Sequence, residues 1–235
     1  MSPFLGEFIG TALLITMGGG VVANVVLAKT KGNNSGWIVI TFGWAMAVFV
    51  GVYSSTTLGG SGHLNPAVTI ALTAFGDFDS SLLPTYLAAQ FSGAFTGAII
   101  VWVAYKLHFD ESGDKDLKLA VFCTAPAIRN PVFNLLTEII GTFVLLFGAL
   151  AMSKSTDALG TLNALPVSLL VLAIGLSLGG PTGYAINPAR DLGPRIAYFI
   201  LPIKNKRDSD WSYSWIPVMG PIIGAAIAAW VFKLI

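Results

Sequence analysis

Long uncharged runs, separated by short polar segments, make up most of this 235-residue chain. Single runs cover Ser80–Tyr105 and Trp211–Phe232, and the runs over Pro3–Ala28 and Pro131–Met152 are interrupted only by Glu7 and Glu138. A helix that crosses a membrane needs about 20 mostly apolar residues. Each of these runs therefore predicts one membrane-spanning helix.

A longer uncharged run, Gly32–Gly76, is too long for one span and too short for two. Its second half contains the cluster Gly59–Gly62 and an Asn-Pro pair, which interrupt a helix. The pattern predicts a span that ends near Tyr53, an irregular segment, and a short helix over Pro66–Phe75. That helix would be about 15 Å long, about half of a 30 Å hydrocarbon core.

The run Ala158–Ala189 has the same arrangement. It predicts a span that ends near Leu178, a break at Gly179–Gly183, and a short helix from Pro188. Irregular backbone inside a membrane is tolerated only where it is buried in protein or lines a water-filled cavity. Two such segments predict one shared cavity.

The two halves of the chain resemble each other. The sequence Gly-Glu-Phe-Ile-Gly-Thr at 6–11 is echoed by Thr-Glu-Ile-Ile-Gly-Thr at 137–142. An Asn-Pro-Ala motif follows each, at 65–67 and at 187–189. Each half is predicted to contain two spans, a half-helix and a third span.

Because three spans is an odd number, the second half enters the membrane from the opposite side. The repeats cover about 3–107 and 131–235, and broken helices at matching places of inverted repeats indicate a permeation site. The predicted fold is a single all-α membrane domain over 1–235, with six transmembrane helices and two half-helices.

Composition agrees with a membrane protein: 54% of residues are hydrophobic and 11% are charged, whereas soluble domains are about 25% charged. A net charge of +1 gives no indication of a nucleic-acid partner. The sequence contains one cysteine and only two histidines, His63 and His108. With no metal cluster and no loop carrying paired catalytic carboxylates, we expect neither an enzyme nor a cofactor.

The paired motifs carry specific chemistry. The first consists of Asn65, Pro66 and Ala67, and the second of Asn187, Pro188 and Ala189. Asn favours the N-cap and Pro the first helical position, so a single motif would be an ordinary helix start. Two helix starts facing one pore would repel cations. Amide N–H groups directed into the lumen would orient water and interrupt a proton-conducting chain.

At these motifs the chain resembles the major intrinsic protein family, the aquaporins and glycerol facilitators. The segments Ser61–Thr69 and Asn187–Arg195 carry the resemblance, which covers essentially the whole length. It implies a homotetramer with one pore per subunit in the plasma membrane, with both termini in the cytoplasm.

Within that family the chain resembles the aquaglyceroporin branch, at Tyr105, Asp191, Arg195, Pro217 and Val218. The resemblance implies a passive channel for glycerol, water and other small uncharged solutes. A water-selective channel and a facilitator of urea or undissociated lactic acid remain alternatives. So does a secondary transporter, for which only the two carboxylates inside the membrane could couple an ion.

The resemblance places an outer constriction at Trp44, Gly175, Tyr184 and Arg190. Trp44 and Tyr184 would form an apolar corner for the CH groups of glycerol, and Arg190 would donate hydrogen bonds to two hydroxyls. Gly175 would supply width. The chain departs from the typical glycerol facilitator at Tyr184, where that branch has Phe.

Glu7 and Glu138 are carboxylates inside predicted spans, which makes them functional candidates. We expect each to accept hydrogen bonds from the backbone of the neighbouring irregular segment and so to direct carbonyls to the pore. These carbonyls lie around Gly60–Leu64, which includes His63 and Leu64, and around Gly180–Tyr184. His63 is interpreted as a structural hydrogen-bonding residue and not as a pH gate.

Overall fold

The computed structural model describes residues 1–153 and 159–235. The described residues form helices and no strand. The helices are α1 (Pro3–Val26), α2 (Trp37–Thr57), α3 (Pro66–Phe75), α4 (Leu83–Ala104), α5 (Lys106–Glu111), α6 (Lys115–Ala120), α7 (Pro131–Ser153), α8 (Leu165–Leu178), α9 (Pro188–Ile200) and α10 (Ile216–Lys233). Short 3-10 turns cover Ser80–Leu82 and Gly160–Leu162.

Five helical segments of the described ranges are long and apolar enough to cross a membrane: α1, α2, α4 with its preceding turn, α7 and α10. The remaining predicted span corresponds to α8, which has 14 residues and is about 21 Å long. A 3-10 turn at Gly160–Leu162 precedes it, and α8 starts only at Leu165. The first residue of the uncharged run, Ala158, lies outside the described residues.

Two other helix boundaries differ from the prediction. Helix α2 continues past Tyr53 because the hydroxyls of Thr56 and Thr57 donate to the Tyr53 carbonyl, at 3.0 and 2.8 Å, so these side chains bond within the helix and do not end it. Helix α10 begins later than Trp211, because the preceding residues form turns. Pro217 lies in its first turn, where a proline is favoured.

The halves pack in the same pattern. Helix α1 packs against α2 and α4, and α7 packs against α8 and α10. Across the halves, α3 contacts α10, α9 contacts α4, and α2 contacts α8. Each short helix is therefore held between long helices of both halves.

Glycines permit the closest helix crossings. A Cβ on Gly97 of α4 would lie 2.5 Å from the Ala12 carbonyl oxygen of α1. A Cβ on Gly224 of α10 would similarly collide with the Ile139 carbonyl of α7. Gly97 and Gly224 therefore let equivalent helix pairs of the two halves approach closely.

The outside of the bundle carries large apolar side chains. On α7, for example, Val132, Phe133 and Ile140 are more than half exposed. Such a surface is compatible with lipid, and together with the apolar helices it makes this a multi-pass membrane protein.

Candidate pore and constriction

A cavity of about 410 Å³ lies between the two halves. Apolar side chains of α2, α3, α7 and α8 form most of its wall. Its polar groups come from Ser61–Asn65, Ser153, Tyr184–Asn187 and Arg190. The described wall contains no Asp or Glu, so the cavity suits a neutral solute better than a cation.

Two asparagines begin the short helices at mid-molecule. Oδ1 of Asn65 accepts a hydrogen bond from the N–H of Ala67 at 3.0 Å. Oδ1 of Asn187 accepts from the N–H groups of Ala189 and Arg190, at 3.0 and 3.2 Å. Each amide oxygen is therefore used as an N-cap.

The same asparagines join the two halves of the chain. Nδ2 of Asn65 donates to the Ile186 carbonyl, and Nδ2 of Asn187 donates to the Leu64 carbonyl, both at 2.8 Å. The sequence predicts that the whole NH2 group of each faces the lumen, but one N–H of each is used by the opposite half. Because a carboxamide carries two N–H donors, one per asparagine is left for a passing solute.

The residues before the asparagines have strained backbones. Leu64 and Ile186 have φ values of 50° and 44°, and Tyr184 has a φ of 38°. Such conformations cost about 1–3 kcal/mol each in residues other than glycine, and they persist only where neighbours hold them.

Glu7 holds the first strained segment. Its side chain is fully buried, and Oε1 accepts from the N–H of His63 at 3.0 Å and from the Ser55 hydroxyl at 3.1 Å. Oε2 accepts from the N–H of Leu64 and from Nε2 of Gln90, both at 2.8 Å. The carboxylate thus accepts hydrogen bonds from α2, α4 and the segment before α3.

Glu138 holds the second segment in the same way. Oε1 accepts from the Thr182 hydroxyl at 2.7 Å and from the N–H of Ala185 at 3.0 Å, and Oε2 accepts from the N–H of Ile186 at 2.8 Å. A buried carboxylate is costly unless such donors surround it. In each half, backbone amides before the asparagine bond to a carboxylate on the first helix of that half.

Arg190 lies at one end of the cavity. Its Cζ is 4.1 Å from the centroid of the Trp44 ring, a cation–π contact, and Nη1 donates to the Phe122 carbonyl at 3.4 Å. Both Arg190 and Trp44 belong to the cavity wall. The guanidinium therefore covers one face of Trp44, which leaves the ring edge and Tyr184 as apolar surfaces of the predicted corner.

Gly175 does not belong to the cavity wall, unlike Tyr184. A Cβ at Gly175 would lie 2.9 Å from Cζ of Tyr184. Trp37 fixes this corner, because Nε1 donates to the Gly175 carbonyl at 3.0 Å and its ring meets that of Tyr184 edge-on at 5.8 Å. Gly175 thus makes room for the phenol ring, and its contribution to the width of the pore stays a prediction.

His63 lines the cavity, but its ring is tied to the protein. Nδ1 lies 3.1 Å from the Thr69 hydroxyl. The ring packs against Phe78 and Tyr86, with centroids 4.8 and 5.3 Å away. This environment favours a structural role.

The positions that resemble the aquaglyceroporin branch lie away from the described cavity wall. Asp191 and Arg195 form a buried ion pair at 2.7 Å. Tyr105 ends α4, and Pro217 and Val218 lie in the first turn of α10.

Sequence reasoning missed several polar partners of these groups. Gln90 is the one amide side chain in the run Ser80–Tyr105, and that isolation is a signal that could have identified it. Ser55, Thr124 and Thr182 carry no such signal, because buried hydroxyls in uncharged runs usually bond to their own helix.

Comparisons with known proteins cover nearly the full length. The sequence model of the major intrinsic protein family matches residues 1–232. A probable glycerol uptake facilitator of Thermotoga maritima is 59% identical, over 99% of this chain and 100% of that protein. A glycerol uptake facilitator of Streptococcus pneumoniae is 54% identical, over 100% and 99%. The X-ray structure of the aquaglyceroporin from Plasmodium falciparum has a TM-score of 0.86 at 30% identity, over 98% and 94%.

Proposed function

Because the chain belongs to the major intrinsic protein family, we propose that it forms a passive channel for glycerol, water and other small uncharged solutes. The names of its relatives support glycerol as a solute. The channel excludes ions and protons and performs no catalysis.

The constriction is the observation that carries this proposal. Arg190 provides N–H donors at one side of a wall whose other surfaces are aromatic carbon of Trp44 and Tyr184. Glycerol has hydroxyls along one edge and CH groups along the other. Its hydroxyls accept from the guanidinium, while its carbons pass the ring edges.

Ion exclusion follows from charge near the pore. The N-termini of α3 and α9 each carry about half a positive charge, and Arg190 adds a full one. The free N–H groups of Asn65 and Asn187 make a passing water accept at mid-membrane, which interrupts a proton-conducting chain.

Stopped-flow light scattering on proteoliposomes tests the proposal. We expect rapid, non-saturating glycerol and water flux without proton leak. Arg190→Val is expected to lower the glycerol-to-water permeability ratio and to admit protons. Arg207→Val is the matched control, since this arginine pairs with Asp116 of α6 and is absent from the cavity wall.

Other outcomes would identify the alternatives. Water flux with glycerol excluded would indicate a water-selective channel. Saturable uptake driven by an ion gradient would indicate a secondary transporter.

We further propose a homotetramer in the plasma membrane, with one pore per subunit and both termini in the cytoplasm. Family resemblance supports this assembly and orientation. The exposed apolar residues of α7 are available to lipid or to a neighbouring subunit.

A further inference from the structure

Asp191 and Arg195 are fully buried, yet neither belongs to the cavity wall. Oδ1 of Asp191 accepts from Nε of Arg195 at 2.8 Å. A buried ion pair is weak evidence for stability, since its desolvation can cost as much as the attraction returns. Its position on α9, directly after Arg190, therefore suggests another role.

The pair binds every polar backbone and side-chain group of Thr124. Oδ2 of Asp191 accepts from both the N–H and the hydroxyl of Thr124, each at 2.7 Å. Nη2 of Arg195 donates to the Thr124 carbonyl at 2.9 Å. Arg195 also donates from Nη1 to the Ser209 carbonyl at 2.7 Å, so the pair joins the segments around Thr124 and Ser209 to α9.

The carbonyl that accepts a hydrogen bond from Arg190 belongs to Phe122, two residues before Thr124. The Phe122 carbonyl accepts from Nη1 of Arg190 at 3.4 Å, a long bond whose strength depends on where this carbonyl lies. The Phe122 ring is buried and packs against Tyr198, with centroids 5.2 Å apart. Helix α9 thus holds the segment 122–124 at both ends, once through Arg190 and once through the ion pair.

We propose that the Asp191–Arg195 pair is a positioning element for the constriction, which fixes Arg190 through Thr124 and the Phe122 carbonyl and so helps to set solute preference. The inference rests on the proposed function of Arg190. Glycerol must accept from the guanidinium with neighbouring hydroxyls at once, whereas water presents one oxygen. A displaced guanidinium therefore impairs glycerol more than water.

The test compares Thr124→Val with Thr124→Ser in proteoliposomes, with glycerol and water permeability measured on the same preparation. Val keeps the side-chain shape and loses the donor to Asp191, whereas Ser keeps the donor. Thr142→Val is the matched control, because among the described residues this buried hydroxyl bonds only the Glu138 carbonyl of its own helix, at 2.8 Å. We expect Thr124→Val to lower the glycerol-to-water ratio about threefold or more, and the other two variants to keep it.

A purely structural role reduces the number of active channels and lowers both permeabilities in proportion. An unchanged ratio in Thr124→Val, with or without such a parallel loss, would overturn the inference. If that variant cannot be recovered, Thr124→Ala supplies the same comparison, because it removes the hydroxyl without adding a methyl group. Asp191→Asn is an independent arm and is expected to lower the ratio further.

The wild-type result separates this inference from the proposed function. Wild-type protein that conducts water but no glycerol contradicts the proposed function alone. In that case the proton permeability of the same variants tests the inference, because the guanidinium also repels cations. Leak in Thr124→Val but not in Thr124→Ser would support it, and equal leak in both would reject it.

Discussion

Single residues at the constriction determine the shape of the pore through their neighbours. Gly175 matters because the phenol ring of Tyr184 occupies the space beside it. The Tyr184 hydroxyl is buried without a hydrogen-bond partner in the described part of the chain. The ring is therefore held by packing against Gly175 and Trp37 and not by a bond of its hydroxyl.

Gly175→Ala is expected to push the Tyr184 ring toward the cavity, because the new Cβ would lie 2.9 Å from Cζ of the ring and from Cγ2 of Thr41. Overpacking of this kind costs about 1–3 kcal/mol unless a neighbour moves. We expect glycerol permeability to fall about threefold or more, with a smaller loss for water. Gly180→Ala is the control, since nothing lies within 4 Å of its Cβ. Equal permeabilities in the two variants would contradict this prediction.

Each short helix forms a structural unit with the irregular segment that precedes it. Each segment contains left-handed residues that cannot hold their conformation alone. In each half a buried carboxylate on the first helix accepts their N–H groups. The two segments are then joined through the asparagine amides, so a change in one half reaches the other.

Glu7→Gln is expected to fold and to conduct poorly. A Gln amide has one acceptor oxygen, but Glu7 accepts from Ser55, Gln90 and two backbone N–H groups, so its NH2 group must face a donor. A hydrogen bond to a charged group contributes about 1.5–3 kcal/mol, so we expect glycerol permeability at equal protein content to fall about tenfold. Glu111→Gln is the control, because that carboxylate is an exposed partner of Lys29. Wild-type flux in Glu7→Gln would show that the carboxylate does not position the segment.

At the scale of the whole molecule, connectors at one end of the bundle are tied together. Nζ of Lys118 donates to the Lys204 carbonyl at 2.7 Å, Arg129 pairs with Asp210, and the N–H of Ala127 donates to the Pro181 carbonyl at 2.9 Å. The majority of the lysines and arginines of the chain lie at this end of the bundle. The positive-inside rule would place this end in the cytoplasm, whereas the family resemblance places it outside. Lys154 lies outside the described residues.

Cysteine labelling decides this orientation. Lys204 is exposed in the tied connectors, and Ser153 is exposed at the far end of α7. Cys123 is 1% exposed, so the native thiol should not react. We expect a membrane-impermeant maleimide to label Lys204→Cys on intact cells and to label Ser153→Cys only after permeabilisation. The reverse pattern would show that the charge rule prevails.

The sequence alone determined those features that depend on residues close together along the chain. The uncharged runs located the membrane helices, and the Asn-Pro pairs located the starts of α3 and α9, because capping and proline geometry act within one turn. Of the constriction, the sequence supplied residue types through resemblance to a family.

Only the tertiary structure decided which distant groups meet. The bonds from Asn65 to Ile186 and from Asp191 to Thr124, like the phenol ring over Gly175, join segments far apart along the chain. Their partners follow from how the helices pack, and no local pattern encodes that. The later end of α2 is a local effect instead, because the hydroxyls of Thr56 and Thr57 bond within the helix.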